Sequence, residues 1–114
     1  MKTLLLYLPV WHQGYQLLFA KEHIDRVVLV DPEWARGLDP SLDYLRKEIR
    51  ALSVEQARQL LLSLFPSLEV LILDQKSAKS LPQKTNQLIA PDEDVSRTIV
   101  KQLFSQVKTT FVPV

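Results

Sequence analysis

Short apolar runs alternate along this chain with stretches in which apolar residues have helical spacing. The runs lack the apolar-polar alternation of a half-exposed strand, so they are typical of strands buried on both faces of a parallel sheet. A β-prone segment ends the chain. The predicted strands are Leu4–Leu8, Arg26–Pro32, Leu68–Leu73, Leu88–Ala90 and Thr109–Val114.

Helical spacing predicts helices between these strands. The first covers Tyr15–Glu22, and a short apolar face follows at 42–49. Ser53 and Gln56 have the form of a capping box, in which each side chain bonds the backbone N–H of the other residue. The helix that they open ends near Leu64, before Pro66.

The last predicted helix starts near Asp94, and apolar residues recur every fourth position from Val95 to Val107. Two other segments are expected to lack regular structure. Pro32–Pro40 has prolines and a glycine, which disfavour a continuous helix. The polar segment Asp74–Gln87 predicts a mobile loop or a weak element.

The order of strands and helices predicts one three-layer α/β domain with a mainly parallel five-stranded sheet over residues 1–114. A chain of 114 residues is about the usual size of a single domain. The last predicted strand reaches the final residue, as in an edge strand or in a domain excised from a longer protein.

Composition excludes several classes of function. Charges nearly balance, with 14 Lys and Arg against 13 Asp and Glu, so there is no net field to hold a nucleic acid or an anionic membrane. The absence of cysteine excludes disulfides, a thiol nucleophile and thiolate zinc sites, and no flavin is indicated. No apolar stretch approaches the roughly 18 to 20 residues of a membrane span, and we expect a cytoplasmic protein.

The segment that leaves the first predicted strand is the first candidate site. Ligands of open parallel sheets collect at the carboxyl ends of the strands, where helix N-termini supply N–H groups. Gly14 would let a phosphate approach the backbone, and His12 would donate a hydrogen bond to a phosphate oxygen. Alternatively, Gly14 only makes the turn and His12 is an ordinary loop residue.

A second candidate site opens the last predicted helix, after the fourth strand. Ser96, Arg97 and Thr98 lie in its first turn, where hydroxyls and a guanidinium can help backbone N–H groups to hold a phosphate. The carboxylates from Asp92 to Asp94 can cap the helix or help to hold Mg²⁺ through water. In the alternative interpretation Asp94 is only an N-cap and Arg97 a solvated charge.

Three further features have a functional and a structural interpretation. Trp11 and Trp34 each follow a strand and can stack on a base or simply pack in the fold. Asp31 ends the second strand and can bond a ribose, although no G-x-G-x-x-G motif accompanies the first turn. The basic residues at 46, 47 and 50 can meet an anion or form a solvated helix face.

These segments resemble motifs of the nucleotidylyltransferase superfamily, typified by cytidylyltransferases and pantetheine-phosphate adenylyltransferases. His12-Gln13-Gly14-Tyr15 stands where that family has H-x-G-H, and Val95–Lys101 resembles its I-S-S-T-x-I-R motif. The resemblance implies a Rossmann-like sheet of nucleotidylyltransferase type, Mg²⁺-dependent chemistry, and His12 and Arg97 as catalytic residues. The implied nucleotide and phosphate contacts are Pro9, Trp11, His12, Gly14, Tyr15, Asp92, Ser96, Arg97 and Thr98.

A closer likeness is to a domain that precedes deoxycytidylate-deaminase-like domains in some bacterial proteins. It is carried by Pro9–Tyr15 and by Asp92–Arg97, while the cysteine ligands of the deaminase are absent from this chain. Tyr15 replaces the second histidine of H-x-G-H, and a neutral tyrosine puts catalysis in question while leaving nucleotide binding.

The sequence therefore predicts a nucleotide- or phosphate-binding domain, with a regulatory role in nucleotide metabolism and a deaminase-like partner implied by the resemblance. The alternative is a noncatalytic protein-interaction or dimerisation domain with the same fold. That alternative predicts an apolar surface near Trp34 or Phe111, buried against a partner or a second copy.

Overall fold

Five short strands form a single sheet in which every strand runs parallel to its neighbours. A computed structural model describes residues 2–6, 19, 21–38, 53–91 and 94–112. The sheet confirms the predicted α/β class. The strands are β1 Lys2–Leu6, β2 Arg26–Val30, β3 Glu69–Leu73, β4 Gln87–Pro91 and β5 Lys108–Val112. Their order across the sheet is β3–β2–β1–β4–β5.

The helices lie between the strands along the chain. They are α1 Pro32–Leu38, α2 Val54–Leu64 and α3 Asp94–Leu103, with a 3-10 helix at Leu81–Lys84. Residues 19, 21 and 22 are also helical, within the predicted helix that follows the first strand. Within these described ranges, none of the helices has the length and apolar character to cross a membrane.

Apolar side chains fill both faces of the sheet because successive residues of a strand point to opposite sides. On one face the sheet packs against α1 and α3. That core contains Leu5, Val28, Val30, Leu73, Leu88, Ala90, Ala35 of α1, Ile99 and Val100 of α3, and Phe104 directly after α3. On the other face it packs against α2 and the helical residue Phe19. That core contains Leu4, Leu6, Val27, Leu29, Ile89, Phe19, and Ala57 and Leu61 of α2. Helices therefore cover both faces, which gives three layers.

Helix α1 corrects the expectation that the segment after β2 is irregular. Proline is tolerated in the first turn of a helix, where its missing N–H has no intrahelical partner, and Pro32 is the first residue of α1. Asp31 caps the helix, since its Oδ1 accepts the Glu33 N–H at 3.1 Å. The Asp31 carbonyl also accepts the Ala35 N–H at 3.0 Å. The second proline, Pro40, lies beyond the end of α1 and outside the described residues.

Helix α2 confirms the predicted capping box. The Gln56 N–H donates to Ser53 Oγ at 3.1 Å, and the Ser53 N–H donates to Gln56 Oε1 at 2.9 Å. The helix ends at Leu64, as predicted. Helix α3 begins at Asp94, as predicted, but ends at Leu103 instead of near Val107. The apolar spacing continues past the helix end because Val107 still packs against the core from the turn that follows.

Strands β1 and β4 extend a little beyond their apolar runs, whereas β2 ends at Val30, before the predicted Pro32, and β3 begins at Glu69, after the predicted Leu68. Strand β1 begins at Lys2 instead of Leu4, and β4 adds Gln87 before its predicted start. Lys2 and Gln87 pair with each other in the sheet. Polar residues can continue a ladder of backbone hydrogen bonds past the buried region, so the apolar run marks the core of a strand and not its ends.

The segment after β3, expected to be a mobile loop or a weak element, contains turns and the 3-10 helix. Asp74 Oδ1 accepts the N–H groups of Lys76 and Ser77 at 3.0 and 3.1 Å. Ser77 Oγ donates to the Ile72 carbonyl at 2.7 Å. These local bonds satisfy backbone groups and fix the direction in which the chain leaves β3.

Candidate ligand site at the carboxyl ends of the strands

The strand order changes direction between β1 and β4. From β1 the chain moves outward to β2 and β3, then returns across the sheet to place β4 on the other side of β1. Strands β1 and β4 pair directly and in parallel, with Thr3 opposite Leu88 and Leu4 opposite Ile89. The segments that follow these two strands therefore leave the same edge of the sheet, side by side.

The helical residues that come after β1 and β4 lie on opposite faces of the sheet. Phe19 packs with Leu4 and Leu6 on one face, and α3 packs with Leu5 and Leu88 on the other. When helices diverge in this way from adjacent parallel strands, a crevice forms outside the carboxyl ends, and ligands of open α/β sheets bind there. The ends of β1 and β4, from which the two predicted sites continue along the chain, therefore flank one crevice.

Most residues of the predicted site after β1 lie outside the described residues. These are Pro9, Trp11, His12, Gly14 and Tyr15, together with Asp92 after β4. The basic residues at 46, 47 and 50 also lie outside. Their roles stay predictions, and the structure contributes the position of the strand ends from which the two segments leave.

Helix α3 places its three predicted phosphate contacts in different surroundings. Ser96 is completely buried, Arg97 is exposed and Thr98 is half-buried. Neighbouring helical residues point in directions about 100° apart, so these three side chains cannot all face one point. The sequence analysis treated the three residues alike, although the apolar stripe already distinguishes the inward position. Ser96 stands three residues before Ile99 and four before Val100 of the core.

The Ser96 hydroxyl has no hydrogen-bond partner within the part of the chain that the structure describes, and its oxygen is shielded from solvent. A buried polar atom without a partner costs about 1–3 kcal/mol, so such atoms are uncommon and tend to have a functional or structural explanation. Ser96 is the third residue of α3, in the turn whose backbone N–H groups have no partners within the helix. The Ser96 hydroxyl therefore lies near the carboxyl edge of the sheet, as the predicted crevice does.

Arg97 lies over the ring of Phe111 in β5, with its guanidinium carbon 4.7 Å from the ring centroid. Phe111 is the second-last residue of its strand, so the guanidinium is held near the carboxyl edge of the sheet. Phe111 is half-buried and packs against the core, as does Trp34. Both aromatic residues of the predicted interaction surface thus contribute to the domain's own packing, and dimerisation stays a prediction.

A cleft of about 360 Å³ lies at the same edge, beyond the ends of β2 and β3. This volume falls within the range of about 300–1,000 Å³ that small-ligand sites occupy. The lining residues are Asp31, Glu33, Trp34, Asp74, Gln75 and Lys76. The sequence analysis singled out Asp31 and Trp34 but not the lining residues after β3, which are Asp74, Gln75 and Lys76. The missed signal was that Asp74, like Asp31, comes directly after a buried strand.

No family model, curated protein or solved structure matches this chain. The likeness to nucleotidylyltransferases therefore depends on the sequence motifs, and both the family type and the catalytic residues stay predictions.

Within the described ranges, no group of three or more His, Cys, Asp and Glu side chains is placed to hold a metal ion. The predicted Mg²⁺ would be held partly by carboxylates from Asp92 to Asp94. Asp92 and Glu93 lie outside the described residues, so Mg²⁺ stays a prediction.

Proposed function

We propose that this domain binds a nucleotide or another phosphorylated small molecule in the crevice between β1 and β4. The observation that carries the proposal is the strand order, which makes the crevice the place where the chain reverses direction across the sheet. Both segments that the sequence singles out for phosphate contacts leave the sheet at this crevice. Phosphorylated ligands suit it because a helix N-terminus offers N–H donors and the positive end of a dipole.

Helix α3 supplies that N-terminus. It has ten residues, and only two residues separate it from the end of β4. The ligand's phosphate meets the backbone N–H groups of the first turn, and Ser96 Oγ gains its missing partner from a phosphate oxygen or from water that the phosphate orders. Arg97 adds a positive charge at the same helix end, in a position that Phe111 restricts.

From the segment after β1, the proposal takes His12 as a donor to phosphate and Gly14 as the point where the ligand approaches the backbone. Binding alone requires no catalysis, and Tyr15 in place of a second histidine favours binding. A catalytic form would bond a substrate oxygen to the α-phosphorus of a nucleoside triphosphate and break the bond to pyrophosphate. His12 would stabilise the transition state while Ser96 and Arg97 hold the outgoing phosphates. Regulation of an attached nucleotide-metabolising partner is the corresponding role without catalysis.

Thermal unfolding in the presence of nucleoside mono-, di- and triphosphates, with and without Mg²⁺, tests the proposal. A ligand at 100 times its Kd stabilises a protein by roughly 2.7 kcal/mol, which raises Tm by several degrees in a domain of this size. We expect the shift to be lost in His12→Ala and Arg97→Ala. Arg58→Ala is the matched control, because Arg58 is also solvent-accessible but lies on α2, on the opposite face of the sheet.

A Tm shift that is the same in wild type, His12→Ala and Arg97→Ala would place the ligand elsewhere. The absence of a shift with every nucleotide would favour the interaction-domain alternative. Sedimentation with and without nucleotide would then test that alternative, which expects self-association that is indifferent to the ligand.

A further inference from the structure

We infer that the cleft beyond β2 and β3 binds the ribose and base of a nucleotide whose phosphates occupy the β1–β4 crevice. The inference rests on the proposed function and deepens it, since it names a nucleoside as the part of the ligand that the cleft recognises. It is carried by the position of the cleft, by the chemistry of its walls and by its charge.

The position fits one nucleotide that lies across the edge of the sheet. Asp31 follows β2 directly and Asp74 follows β3 directly, so the cleft opens at the carboxyl edge, as the crevice does. Neighbouring strands are about 4.8 Å apart. The centre of the cleft, between β3 and β2, is two strand spacings from the centre of the crevice, between β1 and β4, or about 10 Å. That is about the reach of a nucleoside from its 5′ phosphate to its base.

The two aspartates are held in place by the backbone. Asp31 Oδ1 accepts the Glu33 N–H, and the Asp31 N–H donates to the Leu73 carbonyl at 2.9 Å, which ties the ends of β2 and β3 together. Asp74 Oδ1 accepts the backbone N–H groups of Lys76 and Ser77 at 3.0 and 3.1 Å. A carboxylate has two oxygens with about four acceptor positions. Fixed carboxylates of this kind suit the two neighbouring hydroxyls of a ribose.

Trp34 gives the cleft an apolar wall. Its indole is half-buried, and it packs against the core beneath while it also lines the cleft. The underlying core already restricts the indole ring, so the ring loses little further conformational freedom when a base stacks on it. Any base has a flat face that can stack on such a ring, which makes this contact tolerant of base identity.

The charge of the cleft sets the direction of the ligand. Among the described lining residues, the carboxylates of Asp31 and Asp74 outnumber the ammonium of Lys76. Such a surface repels phosphate and accepts hydrogen bonds from hydroxyls. The triphosphate is therefore directed to the positive end of α3, and the sugar and base are directed to the cleft.

Isothermal titration with two probes separates the cleft from the phosphate site. The first probe is a nucleoside triphosphate, which can reach both sites, and ATP, GTP, CTP and UTP are titrated separately. The second probe is inorganic tripolyphosphate, which lacks sugar and base. We expect Trp34→Leu to weaken binding of the nucleoside triphosphates by about tenfold or more while tripolyphosphate binds as it does to wild type. Trp34→Phe keeps a stacking surface and should retain most of the affinity.

Asp31→Asn tests the hydroxyl contact. Asparagine keeps an Oδ1 acceptor for the Glu33 N–H, so the cap of α1 survives while the second oxygen becomes a donor. We expect wild type to prefer a ribonucleoside triphosphate over its 2′,3′-dideoxy form by about tenfold, and Asp31→Asn to lose that preference. Asp25→Asn is the matched control. It removes the same charge at the opposite edge, where Asp25 accepts the Lys2 backbone N–H at 3.1 Å.

The two proposals fail in different ways. If Trp34→Leu and Asp31→Asn bind nucleoside triphosphates as wild type does while Ser96→Ala binds both probes more weakly, the cleft assignment is wrong and the phosphate site stands. If wild type binds neither probe, the proposed function fails and the cleft assignment fails with it. Equal losses of both probes in Trp34→Leu would also overturn the cleft assignment, because the change would then act on the fold or on the phosphate site.

Discussion

The guanidinium of Arg97 and the ring of Phe111, 4.7 Å apart, join the first turn of α3 to the end of β5. An exposed cation–π contact stabilises by about 0.5–1 kcal/mol, too little to hold the fold but enough to restrict a long side chain. Phe111 is therefore a positioning residue for Arg97. The contact also explains why an exposed arginine at a helix N-terminus, where the dipole disfavours positive charge, keeps a defined place.

We predict that Phe111→Leu weakens nucleotide binding by about two- to fivefold, because Arg97 loses the surface that restricts it. Phe111→Tyr keeps an aromatic ring and should bind as wild type does. Titration of the double variant Phe111→Leu, Arg97→Ala separates positioning from packing. The loss of nucleotide affinity caused by Arg97→Ala should be smaller when Phe111 is already leucine. Fully additive losses would show that Phe111 does not act through Arg97.

Ser96→Ala is expected to stabilise the unliganded domain and to weaken its ligand binding. In the folded state the Ser96 hydroxyl loses its hydration and gains no hydrogen bond in return, which costs about 1 kcal/mol. Alanine removes this cost, so the free energy of unfolding rises by about that amount. Urea unfolding measures the first effect and nucleotide titration the second. A lower free energy of unfolding in Ser96→Ala would contradict the prediction and indicate that the hydroxyl has a partner.

Arg26 connects three segments at the amino edge of the sheet. Its Nε donates to Glu69 Oε2 at 3.0 Å and its Nη1 donates to the Lys84 carbonyl at 2.9 Å. The Arg26 side chain is only 13% exposed, whereas that of Glu69 is 48% exposed. The bond to the carbonyl should therefore contribute more stability than the ion pair, which water screens.

We predict that Arg26→Met lowers the free energy of unfolding by about 1–2 kcal/mol, because it leaves the Lys84 carbonyl without its donor. Glu69→Gln should lower it by less than about 1 kcal/mol. Urea unfolding of both variants checks the ranking. A Glu69→Gln loss as large as that of Arg26→Met would mean that the ion pair is the main contribution.

Ser53→Ala tests the capping box of α2. The substitution removes the acceptor for the Gln56 N–H, and the loss of such a cap lowers stability by about 1 kcal/mol. Ser67→Ala, at an exposed turn residue, is the control and should change the free energy of unfolding by less than about 0.5 kcal/mol. Equal Tm values for Ser53→Ala and Ser67→Ala would contradict a stabilising role for the box.

Glu55 and Arg58 form an exposed pair on α2, with Arg58 Nη2 2.7 Å from Glu55 Oε1. The hydrogen bond from Arg58 lowers the pKa of Glu55, so the folded state favours the carboxylate. The resulting stabilisation is present above the pKa of the unfolded state and is lost as the pH falls through the lowered pKa. Glu55→Gln should reduce Tm slightly at neutral pH and leave it equal to wild type in acid. A Tm difference between wild type and Glu55→Gln that grows as the pH falls would contradict a lowered pKa of Glu55.

The local elements of this protein were predictable from its amino-acid sequence. Ser53 and Gln56 predicted the start of α2 because a capping box involves residues only three apart. The apolar runs located the buried part of each strand, and the spacing from Val95 located the start of α3. These features depend on contacts between near neighbours along the chain, which a single sequence displays directly.

The way in which these elements come together depends on contacts between distant parts of the chain. Strand order depends on pairing between distant segments, such as β1 with β4, and local periodicity contains no information about it. Pairing of β2 with β3 placed Asp31 beside Asp74 at the cleft. Packing of α3 on the sheet left the Ser96 hydroxyl buried without a partner among the described residues. Helix α1 begins at Pro32 because Asp31 caps it, which residue preferences at helix starts allow, and because Ala35 packs in the core, which only the tertiary structure shows.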